Sequence, residues 1–196
     1  DTGPHLALNA DVADTASLQV AAARVLAECG RCDILVNSAG FTQAVAPADL
    51  EGLSDALIDT MLQVNFRGVF ATIRTFAPLL KASGDGLVVN ISSIAAFTGV
   101  GSNLAYVAAK AGLDAVGDAL AKALAPIVRV VSVAPGAVET GFVPGRGADF
   151  NTKAASTTPL GRIGQPDDVA AAVEALATSL RFVTGTRLVV DGGRHL

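Results

Sequence analysis

Apolar residues along this chain follow two habits, short unbroken runs and longer stretches with helical spacing, and the two alternate from end to end. Residues 6–10, 34–37, 87–91, 128–133 and 187–190 are runs of Val, Ile, Leu and Ala, as expected of strands buried on both faces. Between them, an Asp14-Thr15 cap opens a helix over 14–28 with Leu18, Ala22, Val25 and Leu26 on one face. Helical spacing recurs over 54–81, over 103–124 (ended by Pro126) and over 166–178, while 137–159 reads as irregular. This order predicts an α/β fold, a doubly wound parallel sheet with helices on both faces, in one domain spanning 1–196. Ligands in such folds bind beyond the carboxyl ends of the strands. Ser38-Ala-Gly40, Ser92-Ser93 and Pro135-Gly136 fall at those ends.

Candidate chemistry lies in the same places. Tyr106, the single tyrosine, stands four residues before Lys110, so phenol and ammonium share a helix face. A phenol has a pKa of about 10 and exchanges protons poorly at neutral pH. A neighbouring cation favours the phenolate; lowering that pKa by ~3 units takes roughly 4 kcal/mol of preferential stabilisation. The plainer alternative is a tyrosine packed on a lysine stem.

Composition narrows the function classes. Of 196 residues, 51% are hydrophobic and 16% charged, enough for one packed domain, and the net charge of −4 without a Lys/Arg cluster points away from nucleic acid and anionic membranes. The first eleven residues lack the basic and apolar regions of a signal peptide. Residues 86–109 carry no charge, but Asn90, Ser92, Ser93, Thr98 and Asn103 make a lipid-facing helix untenable. A soluble, cytoplasmic protein is expected. Cys29-Gly-Arg-Cys32 follows a helix instead of opening one, so the dipole that activates a redox pair is missing, and two thiols are too few for a closed zinc site. No metal is expected.

Seven segments in order carry a family resemblance: Asp11-Val12, Asn37-Ser-Ala-Gly40, Gln63-Val-Asn65, Asn90-Ile-Ser-Ser93, Tyr106-Val-Ala-Ala-Lys110, Pro135-Gly-Ala-Val-Glu-Thr140, and Val183-Thr-Gly with Val190-Asp-Gly-Gly193. Together they resemble the short-chain dehydrogenase/reductase superfamily, in the style of its 3-oxoacyl-carrier-protein reductases and polyol dehydrogenases, over essentially the whole chain. The resemblance implies a Rossmann-like sheet and an oxidoreductase moving hydride between NAD or NADP and a secondary alcohol/ketone pair. Tyr106 would be the acid–base group, Lys110 would hold the nicotinamide ribose, and Ser93 would hydrogen-bond the reacting oxygen. Asn65 would hold a water linking Lys110 to solvent. By composition alone Ser92 competes with Ser93, and Asn65 could be a polar residue on a wetted helix face. For the cofactor, Asp11 would accept from the adenine amino group and Val12 would pack the base. Asn37, Ser38, Ala39 and Gly40 would follow the ribose and diphosphate, and Pro135, Gly136, Val138 and Thr140 would wrap the nicotinamide. Without the resemblance, Asp11 is a helix-flanking acid and Pro135-Gly136 a turn.

The resemblance also implies a small-molecule alcohol or carbonyl substrate and a homodimer or homotetramer. Residues 141–158 would form a substrate lid, with Ala95, Ala96 and Phe97 as pocket floor, suiting a modestly apolar carbonyl compound. The family's opening β-α-β unit with its glycine-rich loop is absent; Gly99-Val-Gly101 and Gly145-Arg-Gly147 do not replace it. The second strand, which separates NAD from NADP, goes with it, so that choice stays open. Ser38 and Val131 stand where the family often has asparagine, and the connections 125–129 and 179–181 look a residue short. A binding or scaffold protein that keeps the fold without the chemistry is the alternative. In the strand order 3-2-1-4-5-6-7, losing the first two strands would leave residues 6–10 unpaired and 34–37 as an apolar edge. The natural polypeptide is therefore expected to extend upstream by at least one βαβ unit of ~30 residues. Intact-mass spectrometry should give more than 19.7 kDa; a match to that mass would refute the extension.

Overall fold

Four parallel strands pair in the order β1 (Ile34–Asn37), β2 (Gly86–Ile91), β3 (Val128–Pro135) and β4 (Thr186–Val190). The computed structural model describes residues 5–145, 147 and 149–196. Positions 1–4 of the expected N-terminal segment, and 146 and 148 of the expected lid, lie outside the described residues. Each link between strands is a right-sized helical crossover, which parallel pairing requires. Helix α1 (Thr15–Cys29) starts where the Asp14 carboxylate accepts the Ala16 N–H. Helix α5 (Leu104–Leu124) starts at Asn103, and α7 (Pro166–Thr178) where the Asp168 carboxylate accepts the Gln165 N–H at 2.7 Å while paired with Arg162.

Two cores sandwich the sheet. Ala22 of α1, Ile73, Phe76 and Leu80 of α3 (Val69–Ser83), and Leu113 of α5 pack on Val88, Val128 and Val130. On the opposite face, Leu176 of α7 packs with Leu87, Val89, Val131 and Val133. Strand side chains alternate between faces, so the continuous Val/Leu runs feed both cores. A third cluster joins Met61 of α2 (Asp55–Leu62), Ala95 of α4 (Ala95–Thr98), Ala105 and Tyr106 beneath the carboxyl end of the sheet.

One row interrupts the apolar pattern. Asn37, Asn90, Ser132 and Arg187 are register neighbours across all four strands. The Asn37 amide donates to Asn90 Oδ1 at 2.9 Å, and both side chains are buried.

Three expectations need correcting. Residues 6–10 form no strand: a strand exists through its partner, and β1 is the sheet's outer strand with no neighbour on that side among the described residues. Ile34 and Val36 of β1 are 45% and 42% exposed, the apolar edge that the pattern implies. The helix expected over 54–81 is three pieces, α2, a π-helical turn at Gln63–Gly68, and α3. The stretch 137–159 contains a short helix, α6 (Phe150–Ser156), whose seven residues are too few to show helical periodicity. Among the described residues, no helix is long and apolar enough to cross a membrane.

The crossing of α5 over the sheet sets the position of everything on its buried face. Leu113 is 2% exposed at that crossing. Leu113→Ala should lower unfolding stability by about 2–5 kcal/mol, read from urea midpoints; a smaller loss would mean that the site helix is fixed elsewhere.

Candidate active site

Beyond the carboxyl ends of β1, β2 and β3 lies a cleft of about 1660 Å³. Its lining includes Ser38, Gly40, Ser93, Tyr106, Lys110, Pro135, Gly136, Val138 and Thr140. These nine expected site residues are brought together by four separate elements. Asn65, Asp11, Val12, Asn37 and Ala39 are not in that lining.

Tyr106 is placed by the start of its own helix. The Asn103 side chain caps α5 by accepting the Tyr106 N–H at 2.7 Å, and its amide donates to the Gln43 carbonyl at 2.7 Å. A cap fixed at both ends removes freedom from the first turn. The ring is 8% exposed, and Phe142 lies across the cleft with ring centroids 6.1 Å apart.

Lys110, one turn on, is 4% exposed, and its Nζ donates to the Ile91 carbonyl at 2.7 Å. That bond ties α5 to the end of β2. The ammonium lies 5.7 Å from the Tyr106 ring centroid. Burial pulls the Lys110 pKa down from 10.5 to about 8, against the opposing pull of Asp114 one turn further along. Asp114 is buried and pairs with Arg187 of β4, Nε to Oδ2 2.9 Å, a contact without the alignment of a directed hydrogen bond. Asp114 escaped the sequence reading although it sits at Lys110 plus four, a spacing that puts the two on one face.

Ser93 and Ser92 now separate. Ser93 lines the cleft and accepts the Ala95 N–H at 3.1 Å, leaving its hydroxyl proton to donate outward. Ser92 also borders the cleft, but its Oγ is buried without a hydrogen-bond partner among the described residues.

Asn65 lies in the π-helical turn and is fully buried. Its amide donates to the carbonyls of Phe41 and Met61, and its Oδ1 accepts the Phe41 N–H at 3.2 Å. Both donors are spent on main chain, and one Oδ1 lone pair remains. Asp11 is exposed and accepts the Ala13 N–H. Cys29 and Cys32 are free thiols, and burial followed by the Asp33 charge raises the Cys32 pKa, the reverse of an activated thiolate.

The cleft suits a dinucleotide at its nicotinamide end. Main chain must come close to a ligand there, and the glycines allow it. A Cβ on Gly40 would stand 3.1 Å from Asn65 Oδ1 and 3.4 Å from the Phe142 ring; one on Gly136 would stand 2.7 Å from Asp191 Cβ. Lys110 offers two further N–H donors beside them.

Comparison with known proteins agrees with this geometry. A family profile described as Enoyl-(Acyl carrier protein) reductase matches residues 1–195. The chain is 38% identical to a D-threitol dehydrogenase of Mycolicibacterium smegmatis, over 98% of this chain and 74% of the relative. It is 34% identical to the 3-oxoacyl-[acyl-carrier-protein] reductase of Thermotoga maritima, over 93% of this chain and 74% of that protein. A dehydrogenase/reductase structure from Sinorhizobium meliloti superposes with a TM-score of 0.88 at 34% identity, covering 100% of this chain and 76% of its own. The chain belongs to the short-chain dehydrogenase/reductase superfamily, and it is an NAD(P)-dependent oxidoreductase of alcohol and carbonyl substrates.

Proposed function

We propose that Tyr106, Lys110 and Ser93 carry out the proton chemistry of alcohol/ketone interconversion at the floor of the cleft. The supporting observation is the buried pair on α5: a lysine ammonium held by Ile91 and lying 5.7 Å from the phenol ring. Bound nicotinamide supplies or takes up the hydride. In reduction, Tyr106 gives its phenolic proton to the carbonyl oxygen as the C–H bond forms, and a proton from solvent restores the phenol. In oxidation, the phenolate removes the hydroxyl proton. Ser93 donates its hydroxyl hydrogen to the same oxygen, stabilising the charge that grows there. Lys110 favours the phenolate by its charge and holds the ribose hydroxyls with its two remaining donors.

Pro135, Gly136, Val138 and Thr140 hold the nicotinamide. Ser38 and Gly40 follow the diphosphate alongside Asn37 and Ala39, with Asp11 and Val12 at the adenine end. Asn65 fixes the Phe41 main chain beside this track, and its remaining lone pair holds the water that connects Lys110 to solvent. Residues 141–158 act as a substrate lid, a role supported by the contact of Phe142 with both Tyr106 and the Gly40 turn. The protein acts in the cytoplasm as a homodimer or homotetramer, as the resemblance implies. The D-threitol relative supports a hydroxylated substrate.

Tyr106→Phe should reduce turnover by about 10²–10⁴-fold while the affinity for nicotinamide cofactor, followed by fluorescence titration, stays nearly unchanged. Retained turnover would remove Tyr106 from the chemistry. The Lys110 environment predicts a pH effect on stability. An unfolded lysine titrates near 10.5 and Lys110 in the fold at about 8. Between those values the unfolded chain binds a proton that the folded chain has released, so stability rises with pH across the window, by about 3 kcal/mol in all. Below pH 8 both states are protonated and the burial penalty is fully present. Urea midpoints of the cofactor-free protein should therefore rise with pH relative to those of Lys110→Met. Parallel curves for the two proteins would contradict a buried ammonium.

A further inference from the structure

The five residues that follow β4 build a second polar centre on the cleft wall. Asp191 is almost wholly enclosed, its side chain 4% exposed. Its Oδ1 accepts the Gly193 N–H at 2.9 Å, and its Oδ2 lies 2.8 Å from both the main-chain nitrogen and the ring Nδ1 of His195. Burial works to raise the Asp191 pKa, but the His195 ring and these main-chain donors outweigh it and hold the carboxyl below its usual range. In the neutral ring an ionised acceptor favours the tautomer with the proton on Nδ1, which leaves a lone pair on Nε2.

The imidazole is aimed as well as polarised. Its ring stands edge-on to Phe97, centroids 5.6 Å apart at 77°, and Arg187 backs the same phenyl ring at 5.3 Å. Phe97 belongs to α4, which starts two residues past Ser93. Asp191 abuts Gly136, so the dyad is wedged between the two turns that frame the reacting centre. The His195 side chain is 31% exposed and borders the cleft. Neighbouring Arg194 also borders it, but its guanidinium is turned to the Ala154 carbonyl and the hydroxyls of Thr157 and Thr158. This wall therefore offers the cleft one imidazole nitrogen not engaged by Asp191.

We propose that His195, oriented by Asp191, is a substrate-recognition residue that receives a second hydroxyl group of a polyhydroxylated alcohol, away from the carbon that is oxidised. This rests on the Tyr106-centred reading above. A hydroxyl can donate to the Nε2 lone pair and can equally accept from a protonated ring, so it suits either state of the histidine. A plain aliphatic alcohol would leave that nitrogen desolvated without a partner, which disfavours it.

The test compares threitol with 2-butanol as substrates of the full-length enzyme with its nicotinamide cofactor. His195→Phe should lower the threitol-over-butanol preference in kcat/KM by about tenfold, with the loss in KM for threitol and not in kcat. His195→Asn, which keeps a polar group, should recover part of it. A preference unchanged within twofold in His195→Phe would overturn the proposal, as would an equal loss on both substrates. Calorimetric titration of threitol into the cofactor-loaded protein reads the same contact without turnover. His195-dependent binding in a protein that turns over neither alcohol would sustain the recognition role and sink the acid–base reading; binding indifferent to His195 would sink the recognition role alone.

Discussion

The hydrogen bond from the Lys110 ammonium to the Ile91 carbonyl organises this molecule. It is made by an ionic donor inside the protein, where such bonds are roughly twice as strong as neutral ones. It joins the second turn of α5 to the end of the inner strand β2, where helix, strand end and cleft meet. Through it the Tyr106 ring, one turn earlier, is held at fixed depth below the cleft, and Ser93, two residues beyond Ile91, is held opposite. A buried ionic contact at such a place gains fixed geometry and puts its charge where it is costly.

That cost is distributed through the fold. The row Asn37, Asn90, Ser132 and Arg187 carries polarity across four strands directly beneath α5. Gly117 of α5 lies over this row, within van der Waals reach of Asn90 and Ser132. Asn90 Nδ2 has no hydrogen-bond partner among the described residues, although its Oδ1 is satisfied by Asn37. An unsatisfied buried amide is unfavourable, and such groups collect where function, not stability, selects the residue. The π-helical turn at Gln63–Gly68 follows the same logic, since it delivers the Asn65 side chain to the Phe41 main chain at the expense of regular helix.

Much of this was legible beforehand, for identifiable reasons. Strand 34–37 and helix 166–178 kept their expected bounds because a continuous Ile/Leu/Val run and a Pro at a helix start are strong local signals. Residues 6–10 carried the same apolar signal and formed no strand, because pairing is a property of the neighbour. Among candidate site residues, Tyr106 and Lys110 stood out by their four-residue spacing and Ser93 by the family resemblance, and the structure brings all three to one cleft. Asn65 was expected as a water holder; the structure commits its amide to the Phe41 and Met61 main chain and leaves one Oδ1 lone pair, a detail that no sequence pattern encodes. Asp114 and His195 were missed for a shared reason. Each acts through a partner four residues away in sequence, Lys110 and Asp191, and an i,i+4 pair of polar residues is too common to stand out until burial is known.

Burial also shows how the two halves of the cleft are joined. Asp114 opposes the desolvation of Lys110, but a lone buried carboxylate would itself be unfavourable. Arg187 reaches from β4 to pair with it, and the same guanidinium lies over the Phe97 ring, which in turn packs against His195. One cation thus pairs with the acid one turn beyond Lys110 and lies over the Phe97 ring that packs against His195. Moving β4 relative to α5 would disturb both at once. The coupling explains why the chain places a long, half-exposed arginine in a strand where Val and Leu otherwise predominate: an aliphatic residue at 187 would pack well enough, yet it would leave Asp114 without its paired guanidinium and Phe97 without its backing.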